Sequence, residues 1–311
     1  MRKEFIKRAL DANAFTAAGA EGIAVNPNIW DMKLRDYQSE NLVVAPLAEQ
    51  FDLTGPGADL KVTIDEKPAA AAAALTEGND VAVTAITTRP VTFTPSQVAA
   101  RYQISQKEFV RAFFNSMENA TKKLAYQLAL AKDTTAISVL DTAAGTSIVP
   151  ATAVAAARAA GDLTAADTLG YDEIINGARA IKNNLYVPAD LIVNFYQGAD
   201  LLRLDKVNKA NEFGSREGLE RGLIGDLFGV KIYETTQIGV TAGTVGDEAN
   251  ALMLGRTPTG EKCFGLAVKE RPTISKDYNV VNLSHDIVGH EDYDIKSLHD
   301  DAIVVITTWS E

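Results

Sequence analysis

Between residues 58 and 104 apolar and polar side chains alternate. "LKVTIDE" sets Leu60, Val62 and Ile64 against Lys61, Thr63 and Asp65, the two-residue period of a strand with one buried face. "VAVTAIT" (81–87), "VTFT" (91–94) and "QVAARYQI" (97–104) predict further strands, with Pro68, Gly78, Pro90 and Pro95 as breaks between them. Six alanines at 69–74 and an "EGND" turn interrupt the pattern. A long hairpin of this kind is marginal by itself, and its few large apolar residues imply that it lies against something else.

At residue 105 the period changes. "SQKE" (105–108) is a capping box, in which Ser105 accepts from the amide three residues on and Glu108 reaches back. Phe109, Phe113, Met117, Ala120, Leu124, Leu128 and Ala131 then recur at steps of three and four, one apolar stripe of a helix. Carried to Leu140, the helix is about 50 Å long, a spine across a flattened body.

Residues 141–170 are rich in alanine and threonine and show little pattern. "YDEIINGARAIKNNL" (171–185) predicts a helix, "ADLIVNF" (189–195) a buried strand and "YQGADLLRL" (196–204) a short helix. "VNKANEFGSREGLERG" (207–222) is a polar surface loop. "ALMLG" (251–255) and "KCFGLAVKE" (262–270) predict a hairpin, and "NVVNLSHDIVG" (279–289) and "AIVVITTW" (302–309) the last strands. Strands and helices mix without βαβ regularity, so the fold class is α+β. Before residue 49 the chain reads as an arm: Phe5, Ile6 and Leu10 among Arg2, Lys3, Lys7 and Arg8, then small irregular sequence.

Composition narrows the function classes. The 311 residues are 46% hydrophobic and 23% charged, as in a soluble protein with a core. The formal net charge of −11 argues against a protein that grips nucleic acid along its phosphates. The N-terminus carries no secretory pattern, no run approaches membrane-spanning length, and a single cysteine, Cys263, rules out an intrachain disulfide. Asp286, Glu291, Asp292, Asp294, Asp300 and Asp301 crowd 286–301 against Lys296 alone, which reads as a solvated acidic face.

No enzyme motif survives inspection. "GLIGDLFGVKIYETT" (222–236) holds three glycines, but not at dinucleotide-binding spacing, and a strand follows Gly229 instead of a helix. "GRTPTGEKC" (255–263) places Glu261 where a phosphate loop needs lysine, and reads as a hairpin turn. His285, His290 and His299 lack the spacing that sets two ligands on one helix face. Catalytic, cofactor-binding and metal-binding residues are therefore all expected to be none, as are cofactors.

The order of elements carries a resemblance. A hairpin and "TEGNDVAVTAITTRPVTFTPSQVAARYQISQKEF" open into the long helix; "VPADLIVNFYQGADLLRLDKVN" precedes a glycine-bearing loop and "GLIGDLFGVKIYETTQI". The sequence then closes on "ERPTISKDYNVVNLSHDIVGHEDYDIKSLHDDAIVVITT". Over roughly residues 40–308 this resembles the major capsid proteins of tailed bacteriophages, of the Hong Kong 97-type fold, which encapsulin nanocompartments share. The resemblance implies an N-terminal arm and lead-in at 1–57 and an extended loop at 58–94. It also implies a peripheral domain at 95–140 and 252–311 carrying the spine helix at 105–140, and an inserted axial domain at 141–251. The implied function is a non-enzymatic subunit that self-assembles into an icosahedral head enclosing double-stranded DNA, or alternatively an encapsulin-like shell around cargo protein. Implied partners are other copies of the chain in pentamers and hexamers, a portal, decoration proteins and DNA held without sequence specificity, with no membrane. With only about 45 residues ahead of the hairpin, a separate scaffolding protein is expected. The implied location is the virion, after synthesis in the host cytoplasm. Lys61 and Lys67 stand in the loop where some relatives cross-link covalently, but the partner positions do not align and that chemistry is not carried over.

Overall fold

The computed structural model describes residues 42–53, 59–65, 87–111, 116–204, 223–227 and 229–310. The expected arm up to residue 41, the alanine run, the "EGND" turn, most of "VAVTAIT" and the 207–222 loop lie outside the described residues.

A four-stranded sheet runs in the order β1 (Glu49–Asp52), β11 (Phe264–Asn279), β12 (Ser284–Ser297), β4 (Ser96–Ser105). The β12–β4 ladder is unbroken from Ser284↔Ser105 to Tyr293↔Ser96. Helix α1 (Gln106–Arg111) leaves β4 directly. The Glu108 amide donates to Ser105 Oγ at 3.2 Å, so the expected cap starts this helix. Helix α2 (Ser116–Ala143) follows; residues 112–115, where the sequence predicts continuity with α1, lie outside the described residues.

The apolar stripe of α2 has a simple physical form. Ser116, Ala120, Leu124, Leu128, Ala136 and Leu140 are buried, and with Lys132 they make one ridge at steps of four. Such a ridge is inclined to the helix axis, so a twisted sheet follows it. Along β12 the buried positions alternate as Ile287, Gly289, Glu291, Tyr293 and Ile295, the face turned to α2. A β-carbon at residue 289 would stand 2.8 Å from Leu124 Cδ2 and 3.0 Å from Leu128 Cδ1. Glycine there lets the two leucines seat on the sheet. Phe109, expected on the stripe, is instead exposed and lies against His285.

The second sheet runs β5 (Thr146–Ile148), β13 (Ile303–Trp309), β10 (Asp247–Arg256), β6 (Val187–Asn194), β8 (Val230–Thr235), β7 (Leu223–Leu227), with β9 (Val240–Ala242) pairing to β10. Both faces of its central strands are covered. Helix α4 (Tyr171–Asn183), which follows the short α3 (Ala151–Ala155), packs Ile174, Ala178 and Ile181 on one face, against Leu191, Val193, Ile232, Met253 and Ile306. The C-terminal half of α2 brings Ala136 and Leu140 to the other, beside Ile192, Leu252, Leu254 and Val305. Two-sided burial is why "LIV", "ALML" and "IVVI" read as unbroken apolar runs. Helix α5 (Phe195–Arg203) begins at Asn194, whose Oδ1 accepts from the Tyr196 amide at 3.1 Å.

Several expectations are corrected. "ALMLG" and "KCFGLAVKE" are not two arms of one hairpin: β10 and β11 belong to different sheets, joined only by an Arg256↔Lys262 bridge around the Thr257–Glu261 turn. β10 itself runs unbroken from Asp247 to Arg256. β13 pairs with β10 throughout, so only β11 and β12 of the 252–311 stretch return to the sheet of α2. Pro90 does not break a strand but lies within β3 (Thr88–Phe93), opposite Thr63 of β2 (Leu60–Asp65). Its missing N–H is tolerated because β3 pairs, among described strands, with β2 alone. The stem of that hairpin also packs on its own chain: Phe93 is fully buried, 5.6 Å from the Phe51 ring, near Ala267 and Leu298.

Gly289→Val provides a test of the α2–β12 contact. Valine favours strands, yet here it should destabilise the full-length chain by about 1–3 kcal/mol through overpacking against Leu124 and Leu128. Urea unfolding measures this, and unchanged stability would remove glycine's assigned role.

Candidate functional site

The chemistry-bearing residues of the chain are placed for anchoring. Asp133 on α2 is fully buried, and its carboxylate accepts the backbone N–H groups of Val43 (2.8 Å), Val44 (3.2 Å) and Ala45 (2.7 Å). Lys262 Nζ donates to the Pro46 and Ala48 carbonyls just beyond, at 3.2 and 2.8 Å. The incoming backbone is thus held from both sides, by an anion on its amides and a cation on its carbonyls. Charge-assisted bonds of this kind are about twice as strong as neutral ones.

A second anchoring centre organises residues 150–170, where the sequence shows no period. Glu248 of β10 accepts from the Gly161 and Leu163 amides at 2.7 and 2.9 Å. Asp167, also buried, accepts from Thr152 Oγ1, from Arg158 Nη2 through both carboxylate oxygens, and from the Thr164 amide and hydroxyl, all within 2.9 Å. Burial alone would raise the pKa of Asp167. The hydrogen bonds of Thr152, Thr164 and Arg158 outweigh it and bring the carboxyl down to about 2.

The expected solvated acidic face is corrected at Glu291, while Asp301 is exposed and the other acids are half-exposed. Glu291 is fully buried and meets Lys132 Nζ at 2.8 Å, Asp286 pairs with Arg101 at 2.7 Å, and Asp294 accepts from the Thr94 amide at 2.8 Å. These carboxylates join β12 to its neighbours. The three histidines hold separate partners: His285 with Gln106, His290 with Glu270 and His299 with Tyr186. Burial lowers the pKa of His299. No cluster of metal-ligating side chains occurs among the described residues. Burial pushes the Cys263 thiol up to about 12, far from a reactive thiolate. The glycine segment is a hairpin: β7 pairs antiparallel with β8, and Gly229 sits between them at φ +80°, in the region that favours glycine. No helix N-terminus follows it to receive a phosphate.

The exposed surface carries the other notable feature. At the turn joining β11 to β12, Val280, Val281 and Leu283 are 72%, 89% and 59% exposed, and Val110 of nearby α1 is 70% exposed. The Gln106 amide donates to the Leu283 carbonyl at 2.8 Å, and the His285 ring lies between Phe109 (4.5 Å) and Tyr278 (5.0 Å). This apolar tip stands at the end of the paired β11–β12 ladder. Composition already contained these residues, but their convergence needed the β11–β12 register.

Two outcomes test the assignments. Asp167→Asn should lose on the order of 1–2 kcal/mol at pH 7. Because the folded pKa lies below the ordinary 3.8, the carboxylate's contribution is full above about pH 4 and disappears as pH falls through 2. The variant's melting temperature should therefore converge on that of the parent across that window; parallel curves would show that the carboxylate contributes no such linkage. Cys263 should resist a thiol reagent at pH 8 in the folded chain and react once urea unfolds it, whereas prompt reaction of the folded chain would contradict its burial.

Comparison with known proteins gives this geometry a context. The family model described as phage capsid protein matches residues 87–305. No curated protein sequence matches. A solved structure from Mycobacterium phage Che8 superposes with a TM-score of 0.65 at 18% identity, covering 90% of this chain and 96% of its own. The capsid of cyanophage P-SCSP1u gives 0.66 at 12% identity, with 96% and 97% covered. The capsid of a native GTA particle gives 0.63 at 12% identity, with 96% and 100% covered. The mixed architecture is therefore the Hong Kong 97-type fold of these shells, and an encapsulin-like container is not favoured. With its match spanning β3 to β13, the chain belongs to the phage capsid protein family.

Proposed function

We propose that this subunit closes into an icosahedral head of pentamers and hexamers around double-stranded DNA. The observation that carries the reading is the family match over 87–305 on a body whose extremities remain unfinished. The apolar tip at 280–283 is exposed, and among the described strands β2 and β3 pair only with each other. Head-to-tail contacts between different patches close into rings, and exchanged segments tie rings into shells. In this reading the α2 sheet is the peripheral body and the seven-stranded sheet with α4 and α5 the axial one. Residues 1–57 are the arm and its lead-in, the latter held by Asp133 at residues 43–45, and residues 58–94 are the extended loop. The net charge of −11 suits an inner wall that surrounds DNA without gripping it. A separate scaffolding protein, a portal and decoration proteins complete the partner set, with synthesis in the host cytoplasm before assembly into the virion.

Electron microscopy of the purified full-length chain, alone and with its scaffold supplied, tests the proposal. Closed or tubular assemblies are expected, with nucleic acid in shells isolated from infected cells. Small oligomers under every condition would refute shell formation, and shells filled with protein cargo would refute the DNA reading.

A further inference from the structure

Lys132 and Glu291 form a charged pair inside the contact between α2 and β12, whose apolar parts repeat at a regular spacing. The buried ridge of α2 advances four residues per step, about 6.0 Å along the helix axis. The buried row of β12 advances two residues per step, about 6.7 Å along the strand. The two spacings nearly match, so helix and strand interlock step for step. Leu124 and Leu128 seat over Gly289, Lys132 meets Glu291, and Ala136 and Leu140 share a cluster with Tyr293 and Ile295.

Such a match also admits displacement. Sliding α2 by one step would set Ala120 and Leu124 over Gly289 in place of two leucines, exchanging one apolar contact for a similar one. What changes sharply is the charge, since the slide would part Lys132 from Glu291 and carry the buried Asp133 off the Val43, Val44 and Ala45 amides. Glu291 is fully buried and Lys132 is 16% exposed, and among the described residues the carboxylate has no other polar partner. In a shifted register Lys132 would leave Glu291, whose carboxylate would then stand buried and uncompensated, a penalty of several kcal/mol. The Tyr293 ring, 5.4 Å from Lys132 Nζ, flanks the cation and narrows its choice of position.

We infer that the Lys132–Glu291 pair is a register lock: together with the Asp133 anchor it selects one axial position of the spine helix on the long β12 strand, and it contributes little net stability beyond an apolar pair of the same volume. The inference concerns the folded subunit and is independent of how subunits assemble.

Pulsed electron spin resonance on the full-length chain tests it, with spin labels at Lys122→Cys and Lys296→Cys and labelled copies diluted into unlabelled ones. Both positions are exposed, and Cys263 is buried. The parent should give one narrow distance. K132M and E291L should each lower the melting temperature by about 10 °C, because each leaves or exposes an unmatched site. K132M/E291L should recover to within about 3 °C of the parent yet show a second distance population, displaced by up to about 6 Å. The reversed pair K132E/E291K should fold with the single parental distance. A double variant that keeps one parental distance, or that unfolds as readily as the single variants, would overturn the lock. So would a folded reversed pair with two distances.

Discussion

Everything else in this subunit hangs on the seating of one helix ridge along one strand. β12 is one of the two inner strands of the four-stranded sheet, hydrogen-bonded on both edges, to β11 and to β4. Its inward row, from Ile287 to Ile295, is the floor on which α2 lies. The same helix then passes Ala136 and Leu140 into the core that faces the seven-stranded sheet. One continuous rod therefore fixes the angle between two sheets that share no ladder, and any shift of the ridge would be transmitted to both. The small side chains of the interface, Gly289, Ala120 and Ala136, are part of this constraint because they let backbones approach where Leu would hold them apart.

Between the regular elements, buried carboxylates do what ladders do elsewhere. Asp133 holds the amides of residues 43–45. Glu248 holds residues 161 and 163, and Glu173 accepts from Ala151 and Gly170. Backbone amides buried without partners are costly, and these lie in irregular stretches or at the start of short helices, where no ladder or helix bond satisfies them. An ionised carboxylate supplies two acceptors from a single side chain and tolerates irregular backbone geometry. That lets the chain pass across its own core without regular secondary structure.

The sequence was informative wherever local physics decides. The period-two pattern of 60–65 and 97–104, the cap at Ser105 and the stripe through Ala120, Leu124 and Leu128 all follow from side chains within a few residues of one another. Partner choice did not follow. β10 and β13 read as strands, but nothing in "ALMLG" says that its neighbours are β6 and β13 instead of β11, since a strand buried on both faces lacks the alternation that would orient it. The anchoring acids were equally hidden, because Asp133 and Glu248 meet amides 85 to 90 residues away. Glu291 looked like one more acid in a solvated run. Its burial depends on odd residues of β12 facing α2, and on Lys132 arriving in the same ridge. The family resemblance succeeded for a different reason: it rests on the order and spacing of whole elements, which survive when individual residues do not.

The distribution of charge explains why a chain with many acids and no enzyme motif still has such defined polar chemistry. Ion pairs at Asp167–Arg158, Asp190–Arg256 and Glu291–Lys132 all involve a buried carboxylate and a more exposed cation. A buried ion pair adds little net stability, but it strongly penalises any arrangement that separates its members. For a subunit repeated many times in one closed surface, that property is valuable in itself. Apolar contacts tolerate small displacements, and small angular errors add up around a closed shell. Charged groups placed inside the packing interfaces convert a tolerant fit into a discrete one, so that each copy presents its neighbours with the same angles.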